Sequence, residues 1–468
     1  MVVVLMTIYV TGKSKKAEVN NINIYVETSP SISPSLSPIT DRERSGVIEQ
    51  LEGGILERNM TFSSMNKADP RLFALDWILH TDDLQLESDD TNLYQRYVLA
   101  LLAFSLDSPA WYLCGNPNEN YTTNECTLTY SDNSTATFGT WLSSTSECTW
   151  FGVTCSADGV VRGVDLNYND LIGSIPAEIS GKYYLHLSSC AFTTVPTCVS
   201  SNTISLKMFI IIGLSFLQLL HLPNNCIYGT MPPEIGKLRH LMSLELHGNG
   251  LSGSMPDEIY NLEKLQLLNL ADQWGIQRKC NKTDGTVVDI NYSMGGLTRP
   301  KKENAGLTGT LGSKLSIWRS MKGLYLNKNS FDGIIPDEIG ALRYLRYLWL
   351  HDNFIEGTIP STITKLRNLK HLRLGENFLM SSFPSEFGRL GDMEILEVNG
   401  NSMFGEIPQG LYKMSNLEVL RLDDTLMNEA PWLVVPDQGM TGSISTFIGA
   451  LQDLRWLLIS NNPMTGTM

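Results

Sequence analysis

Seven histidines and eight cysteines are the residues best suited to hold a metal or supply a nucleophile, and their spacing supports neither role. His80, His186, His221, His240, His247, His351 and His371 stand singly, away from cysteine or acidic partners at ligand spacing, so no metal is expected and they are read as surface side chains. No two cysteines form a Cys-x-x-Cys knuckle. GxSxG, HExxH, and a GxGxxG run followed by kinase-type lysine, HRD and DFG motifs are all missing. No catalytic residue or cofactor is therefore assigned, and the chain is expected not to be an enzyme. If a longer parent protein has a kinase domain, it is not encoded here.

The remaining chemistry is that of an oxidising compartment and of molecular recognition. Cys114/Cys126 and Cys148/Cys155 are close in sequence and are expected to be disulfide cysteines, whereas Cys226 and Cys280 have no evident assignment. Asn59, Asn120, Asn133, Asn281 and Asn291 each begin an Asn-x-Ser/Thr triplet outside the regular repeats, where a glycan is tolerated. A formal charge of −14 argues against nucleic acid or an anionic lipid surface as the main partner.

What would position such residues is a repeat array. A pattern LxLxxNxLxGxIP places Asn329, Asn353, Asn377 and Asn401 24 residues apart, and Asn169, Asn225, Asn249 and Asn462 occupy the same slot. In each unit the two leucines alternate with variable residues, as in Leu348-Trp349-Leu350-His351. A short strand therefore turns its leucines inward and its variable residues onto a concave parallel sheet. The asparagine is short enough to turn inward and satisfy backbone groups of neighbouring coils, forming a ladder. Glycine permits the tight bend, proline ends the segment, and stretches such as 337–342 supply short helical turns on the convex side.

The expected fold is an α/β leucine-rich-repeat solenoid, a right-handed superhelix with a helical, disulfide-bearing N-terminal cap. Residues 1–61 are read as an apolar start and a disordered Ser/Pro linker, 62–162 as the cap and 163–468 as the repeats. Residues 69–108 are expected to be helical. Tyr94, Tyr97, Val98, Leu101, Leu102 and Ser105 form one apolar stripe covering the open end of the array. Met1 to Val10 is apolar but half the roughly 20 residues a spanning helix needs, and is read either as the tail of a membrane segment or as a disordered start. At the other end, Met464 to Met468 stops in the isoleucine slot without a polar capping unit, so the chain is expected to be a fragment.

Three insertions break the period, near 182–213, 274–306 and 426–439. Deleting the first restores a perfect unit, and Gly181-Lys182 can be encoded by a splice-donor-like sequence, so 182–213 is read as a retained intron. Gln273 and Thr425 replace the ladder asparagine where the other two begin. On the concave face, Tyr325, Tyr347, Trp349, His351, His371 and Arg373 fall in adjacent strands about 4.8 Å apart and should form one aromatic and basic patch for ligand binding.

The segment LYLNKNSFDGIIPDEIGALRYLRYLWLHDNFIEGTIPSTITKLRNL resembles the plant-type repeats of receptor-like proteins and receptor kinases, and the resemblance runs from about Gly163 to the end. WLSSTSECTWFGVTCSADGVVRGVDL is similar to that family's N-terminal cap, with Trp141, Cys148, Trp150, Gly152, Val153 and Cys155 in its pattern. LYQRYVLALLAFSLDSPAW resembles the cap extension of receptor-like repeat proteins from diatoms and their relatives. The resemblance implies a recognition domain, extracellular or lumenal and membrane-tethered, for a protein, peptide or glycan partner. The alternative is a secreted inhibitor or wall-associated protein of the polygalacturonase-inhibitor type. Oligomeric state is not readable from the residues.

Overall fold

Leucines recurring every 24 residues bury one edge of each coil against the next, and the computed structural model shows the resulting stack. It describes residues 41–55, 61–86, 90, 92–108, 111, 113–114, 125–129, 134–180, 214–273, 277–281, 287–291, 306–423 and 439–465. The insertions at 182–213 and 426–438, together with Asn59, Asn120 and Asn133, lie outside the described residues. Eleven strands form the concave sheet, from Val153–Cys155 and Val161–Asp165 through Tyr347–Trp349 and His371–Arg373 to Trp456–Leu458. The first pair is antiparallel and the rest are parallel in unbroken register, Leu324 beside Leu348 beside Leu372 beside Leu396. All four of these leucines are fully buried. Burial of such a side chain is worth about 2 kcal/mol.

After the ladder residue each coil turns into a second strand, and these strands form five- and four-stranded lateral sheets. It then passes through a 3-10 turn such as Asp337–Ala341 or Ser361–Lys365 on the convex side. The ladder closes the accounting of buried backbone groups. Asn353 accepts from Phe331 N at 3.0 Å and donates to Leu326 O at 2.9 Å and Leu350 O at 3.0 Å, linking two coils. Asn225, Asn249, Asn329, Asn377, Asn401 and Asn462 repeat this donation to the preceding coil. Asn169 has no preceding coil and exchanges bonds with Leu113 of the cap instead. Gln273, which the sequence pattern marks as a break, makes the same bonds, accepting from Leu251 N at 3.0 Å and donating to Leu246 O at 2.8 Å. Its longer side chain reaches the same groups, so the insertion begins without interrupting the ladder.

The residue before the ladder position is left-handed in coil after coil, including the non-glycine Asn224, Asp272, Lys328, Asp352 and Glu376. That conformation swings the next side chain into the core. Inside the insertion at 274–306, Gln277–Asn281 and Val287–Asn291 pair antiparallel. Asn281 and Asn291, both glycosylation triplets, end its two strands.

The cap departs from expectation in two ways. Part of the stretch read as linker is helix α1, Asp41–Ile55, which buries Val47 and Leu51. It receives a hydrogen bond from Tyr94 Oη to Gln50 O of 2.9 Å. The Ser/Pro composition dominates only the part before it, so the average over 28–61 hides an apolar pair four residues apart. Secondly, residues 69–108 are not one amphipathic helix. Helix α2, Pro70–Asp76, starts at the Asp69 cap, which accepts from Arg71 N at 3.0 Å, and ends in a π turn, Trp77–Thr81. Helix α3, Leu93–Ser105, is then buried on every side from Leu93 to Ala103, including Gln95 and Arg96.

Gln95 donates to Glu147 Oε1 at 2.8 Å and accepts from Val161 N at 2.7 Å, fastening α3 to the first long strand of the sheet. Where α3 ends, Gly173 of the first repeat has φ of 150°, and a β-carbon there would meet Ser105 O. Only glycine permits that approach. Disulfides join Cys114 to Cys126 and Cys148 to Cys155, and Cys226 is disulfide-bonded as well.

Candidate ligand site on the concave face

Three consecutive strands carry five of the six residues singled out by their column positions. The register sets Tyr325 beside Trp349 and Trp349 beside Arg373, with Tyr347 beside His371. His351 follows the middle strand by two residues. Their inward neighbours Leu324, Leu326, Leu348, Leu350, Leu372 and Leu374 are fully buried, so the backbone holding the outward residues is fixed from below.

All six side chains come together. The Tyr325 ring meets Trp349 edge-on at 4.9 Å, and Tyr347 meets His371 edge-on at 4.9 Å. Trp349 and His371 lie almost parallel, 11° apart with centroids at 6.2 Å, and His351 is 6.0 Å from Trp349. The Arg373 guanidinium sits over the indole, 4.6 Å from its centroid. Such a cation–π contact is worth about 0.5–2 kcal/mol depending on desolvation.

Both imidazoles are neutral near pH 7. Burial, reinforced by Arg373 and Lys328, pushes His351 down to about 3. Burial and Arg373 also lower His371, although Glu394 pulls the other way. His371 Nε2 lies 3.3 Å from Glu394 Oε2. A carboxylate only accepts, so Nε2 carries the proton and Nδ1 presents a lone pair.

Charges frame the patch in pairs. Lys328 meets Asp272 at 3.0 Å, Lys370 meets Glu394 at 2.6 Å, and Arg373 lies 3.6 Å from Glu397. Within this frame several buried polar atoms make no hydrogen bond in the protein: Trp349 Nε1, His351 Nδ1, His371 Nδ1, Asn327 Oδ1 and Arg373 Nε, the last facing Glu397 at ion-pair distance only. Unsatisfied buried polar atoms are few in native folds, and leaving each one unmade costs about 1–3 kcal/mol. Asn327, only 4% exposed, occupies the column of His351 and was legible there as a neighbour but not as an unpaired acceptor.

Two further histidines, both partly exposed, stand on the same concave face. His221 stands between Asp165 at 3.7 Å and Glu245 at 3.5 Å and shares a 2.8 Å hydrogen bond with Ser243 Oγ. His247 lies 3.9 Å from the same glutamate. These five residues line the N-terminal end of the sheet, and the strands place them there because every concave column faces one way. Among the described residues no group of histidine, cysteine or acidic side chains is arranged to hold a metal. Among them also no helix is long and apolar enough to cross a membrane.

The regular coils have counterparts in known proteins. A model described as a leucine-rich repeat region matches residues 310–465, and one for a single leucine-rich repeat matches 240–262. No curated protein matches the chain. Among solved structures, the PEPR1–AtPEP1 complex aligns at 22% identity and a TM-score of 0.51, over 79% of this chain and 42% of that one. A plant ice-binding protein aligns at 20% identity and 0.51, over 80% of this chain and 88% of that one. The ectodomain of the Arabidopsis receptor kinase HAESA, in complex with an IDA peptide hormone ligand, aligns at 23% identity and 0.44, over 68% and 49%. The chain thus spans less than half the length of the PEPR1 chain, and at these identities the likeness is one of fold. Repeat spacing, ladder geometry and the matched repeat region show a leucine-rich-repeat solenoid.

Proposed function

We propose that this chain is the non-catalytic recognition domain of a receptor-like protein and that a peptide or protein binds its concave face on Tyr325, Tyr347, Trp349, His351, His371 and Arg373. The observation that carries this is the clustering of rigid aromatic area, an arginine and unpaired polar atoms on one rigid sheet. Binding energy concentrates on such groups because they bring area and direction at low entropic cost. The leucines beneath hold the patch in place before any ligand arrives. In this reading the repeats face the extracellular or lumenal side, in keeping with the disulfides of the cap, and ligand capture feeds a signalling event through the rest of a membrane-anchored protein.

A secreted inhibitor or wall-associated role is the second reading. It is favoured by one observation, the cover of 88% of an ice-binding protein's chain by the same fold, which gives this architecture a role outside receptors.

The test is a display selection of peptides against the folded chain, followed by affinity measurement on Trp349→Ala. Loss of at least about tenfold in affinity, a difference of 1.4 kcal/mol, with an unchanged circular dichroism spectrum supports the site. Unchanged affinity removes it.

A further inference from the structure

We infer that the flank of the solenoid where the concave strands begin carries a second ligand surface, fitted to a linear sulfated polysaccharide. It lies outside the aromatic patch and does not depend on it. The observation behind it is a segregation of charge. In a chain of formal charge −14, residues 312–326, 341–350 and 361–374 hold nine lysines and arginines and no aspartate or glutamate. These stretches belong to three successive coils and run in each from the convex turn to the concave strand.

Backbone bonds order the cations into columns. Arg346 N donates to Lys322 O at 2.8 Å and Lys370 N to Arg346 O at 2.8 Å. Lys322, Arg346 and Lys370 therefore stand side by side at the strand spacing of about 4.8 Å. Three residues earlier in each coil come Arg319, Arg343 and Arg367, and Asn368 Nδ2 ties the last two of these coils together by donating to Arg343 O at 2.7 Å. Both columns lose their positive charge beyond these coils. Glu263 takes the place of Arg319 one coil earlier, and Glu394 and Glu418 follow Lys370.

Few of these charges are matched internally. Lys370 pairs with Glu394 at 2.6 Å and Lys314 with Asp257 at 3.0 Å, while Arg373 faces Glu397 on the concave side. Arg319, Lys322, Arg343, Arg346, Lys365 and Arg367 are all exposed, and among the described residues none of them has a carboxylate at ion-pair distance. Like charges held side by side repel, so a bound polyanion relieves that repulsion besides being attracted directly.

The shape of the strip selects the polyanion. The cap disulfides suit an oxidising compartment, where nucleic acid is not the resident polyanion. An anionic bilayer is broad and would meet the acidic residues that close both ends of the strip. A chain of sugars can follow three coils and stop. Two cations per coil suit a chain with more than one fixed charge per sugar, and the guanidinium forks of the four arginines bind oxyanions through paired hydrogen bonds. Tyr344, 63% exposed, stands beside Arg343 in the middle coil and offers an aromatic surface to the C–H face of a sugar. Ser320 and Asn368 hold the same position in the coils on either side and supply groups that bond to hydroxyls.

Surface plasmon resonance on the whole chain tests this with dextran sulfate, neutral dextran, polygalacturonate, poly-L-glutamate and vesicles containing phosphatidylglycerol. Dextran sulfate is expected to bind, with an affinity that falls as salt rises. The variant Arg319→Gln/Arg343→Gln/Arg346→Gln/Arg367→Gln should weaken it at least tenfold, and Tyr344→Ala, which changes no charge, at least twofold. A control, Lys237→Gln/Arg239→Gln/Lys264→Gln/Lys413→Gln, removes four exposed charges from coils outside the strip and should change affinity less than twofold. Circular dichroism checks the fold, and Arg343→Gln and Arg346→Gln singly, each weakening binding at least twofold, serve if the quadruple variant does not fold. Equal losses in both quadruple variants would mean that net charge alone is read, and would overturn the surface. No binding of dextran sulfate, or binding as tight of neutral dextran, polygalacturonate, poly-L-glutamate or the vesicles, overturns the sulfated ligand.

Discussion

Two arginines in this molecule lie against tryptophan rings, and their surroundings differ in the one respect that separates scaffold from site. In the cap, Arg96 of α3 is held 5.0 Å from the Trp77 ring and 5.1 Å from that of Trp150. Its guanidinium is fully buried, and its nitrogens donate to Asp82 at 2.5 and 2.7 Å, Glu147 at 3.1 Å, Thr145 O at 3.0 Å and Ser143 O at 2.8 Å. On the concave sheet Arg373 covers one tryptophan, its side chain is 27% exposed, and its Nε meets no hydrogen-bond partner. A buried charge must be satisfied internally because no solvent reaches it. Arg373 keeps part of its side chain in reach of solvent and faces Glu397 at ion-pair distance only, so its charge does not depend on a closed set of internal hydrogen bonds.

The comparison is sharpest in the response to losing each arginine. Arg96→Met strands Asp82 and Glu147 in the cap interior without a counter-charge, and breaking such a pair costs about 3–5 kcal/mol. Arg373→Met leaves only Glu397, which solvent reaches, and should cost no more than about 1 kcal/mol. Denaturant midpoints of the two variants measure the difference. Equal losses would mean that the concave arginine is structural too.

A smaller effect separates the ladder from the patch it supports. Asn353→Ala strands Phe331 N and two leucine carbonyls between coils. It should cost about 2–4 kcal/mol, since each buried group left unmade costs about 1–3 kcal/mol and the coil relaxes in part. Gln273→Asn restores the commoner ladder residue and should shift stability by less than about 1 kcal/mol. Were Asn353→Ala to melt like the native chain, the ladder bonds would be incidental.

A further effect concerns protons. His351 has its folded value lowered to about 3, below its ordinary 6.5. Between those values the unfolded chain binds a proton that the folded chain does not, so stability is lost as pH falls from about 6.5 towards 3. His351→Gln removes that contribution, and its stability should fall less steeply with acid across the window. The Arg96 cluster is present in both chains and drops out of the difference. Parallel pH profiles would show that His351 is not held neutral by burial.

Much of the solenoid is legible in the residues because it is built from short-range repetition. A leucine every second position, an asparagine every 24 and a glycine at the bend each answer a local requirement, and stacking identical units adds no new one. That is also why Tyr325, Trp349 and Arg373 could be set side by side from column arithmetic before any coordinate. The cap resisted the same treatment. The Arg96 and Gln95 partners come from Asp82, Glu147 and Val161, between 14 and 66 residues away with no period connecting them. The one available signal was a lone arginine and glutamine inside the apolar run of α3. Helix α1 was hidden by the Ser/Pro composition around it.

By itself the sequence determined the repeat period, the inward leucines, the ladder and the concave columns, since each follows from spacing along one chain. Only the tertiary structure decided that Gln273 serves as a ladder residue and that α3 is buried all round. It also decided that the patch charges are paired and that Asn327, His371 and Trp349 keep buried atoms that make no hydrogen bond. Those facts depend on side-chain reach and orientation between coils, where a difference of one ångström separates a made hydrogen bond from an open one.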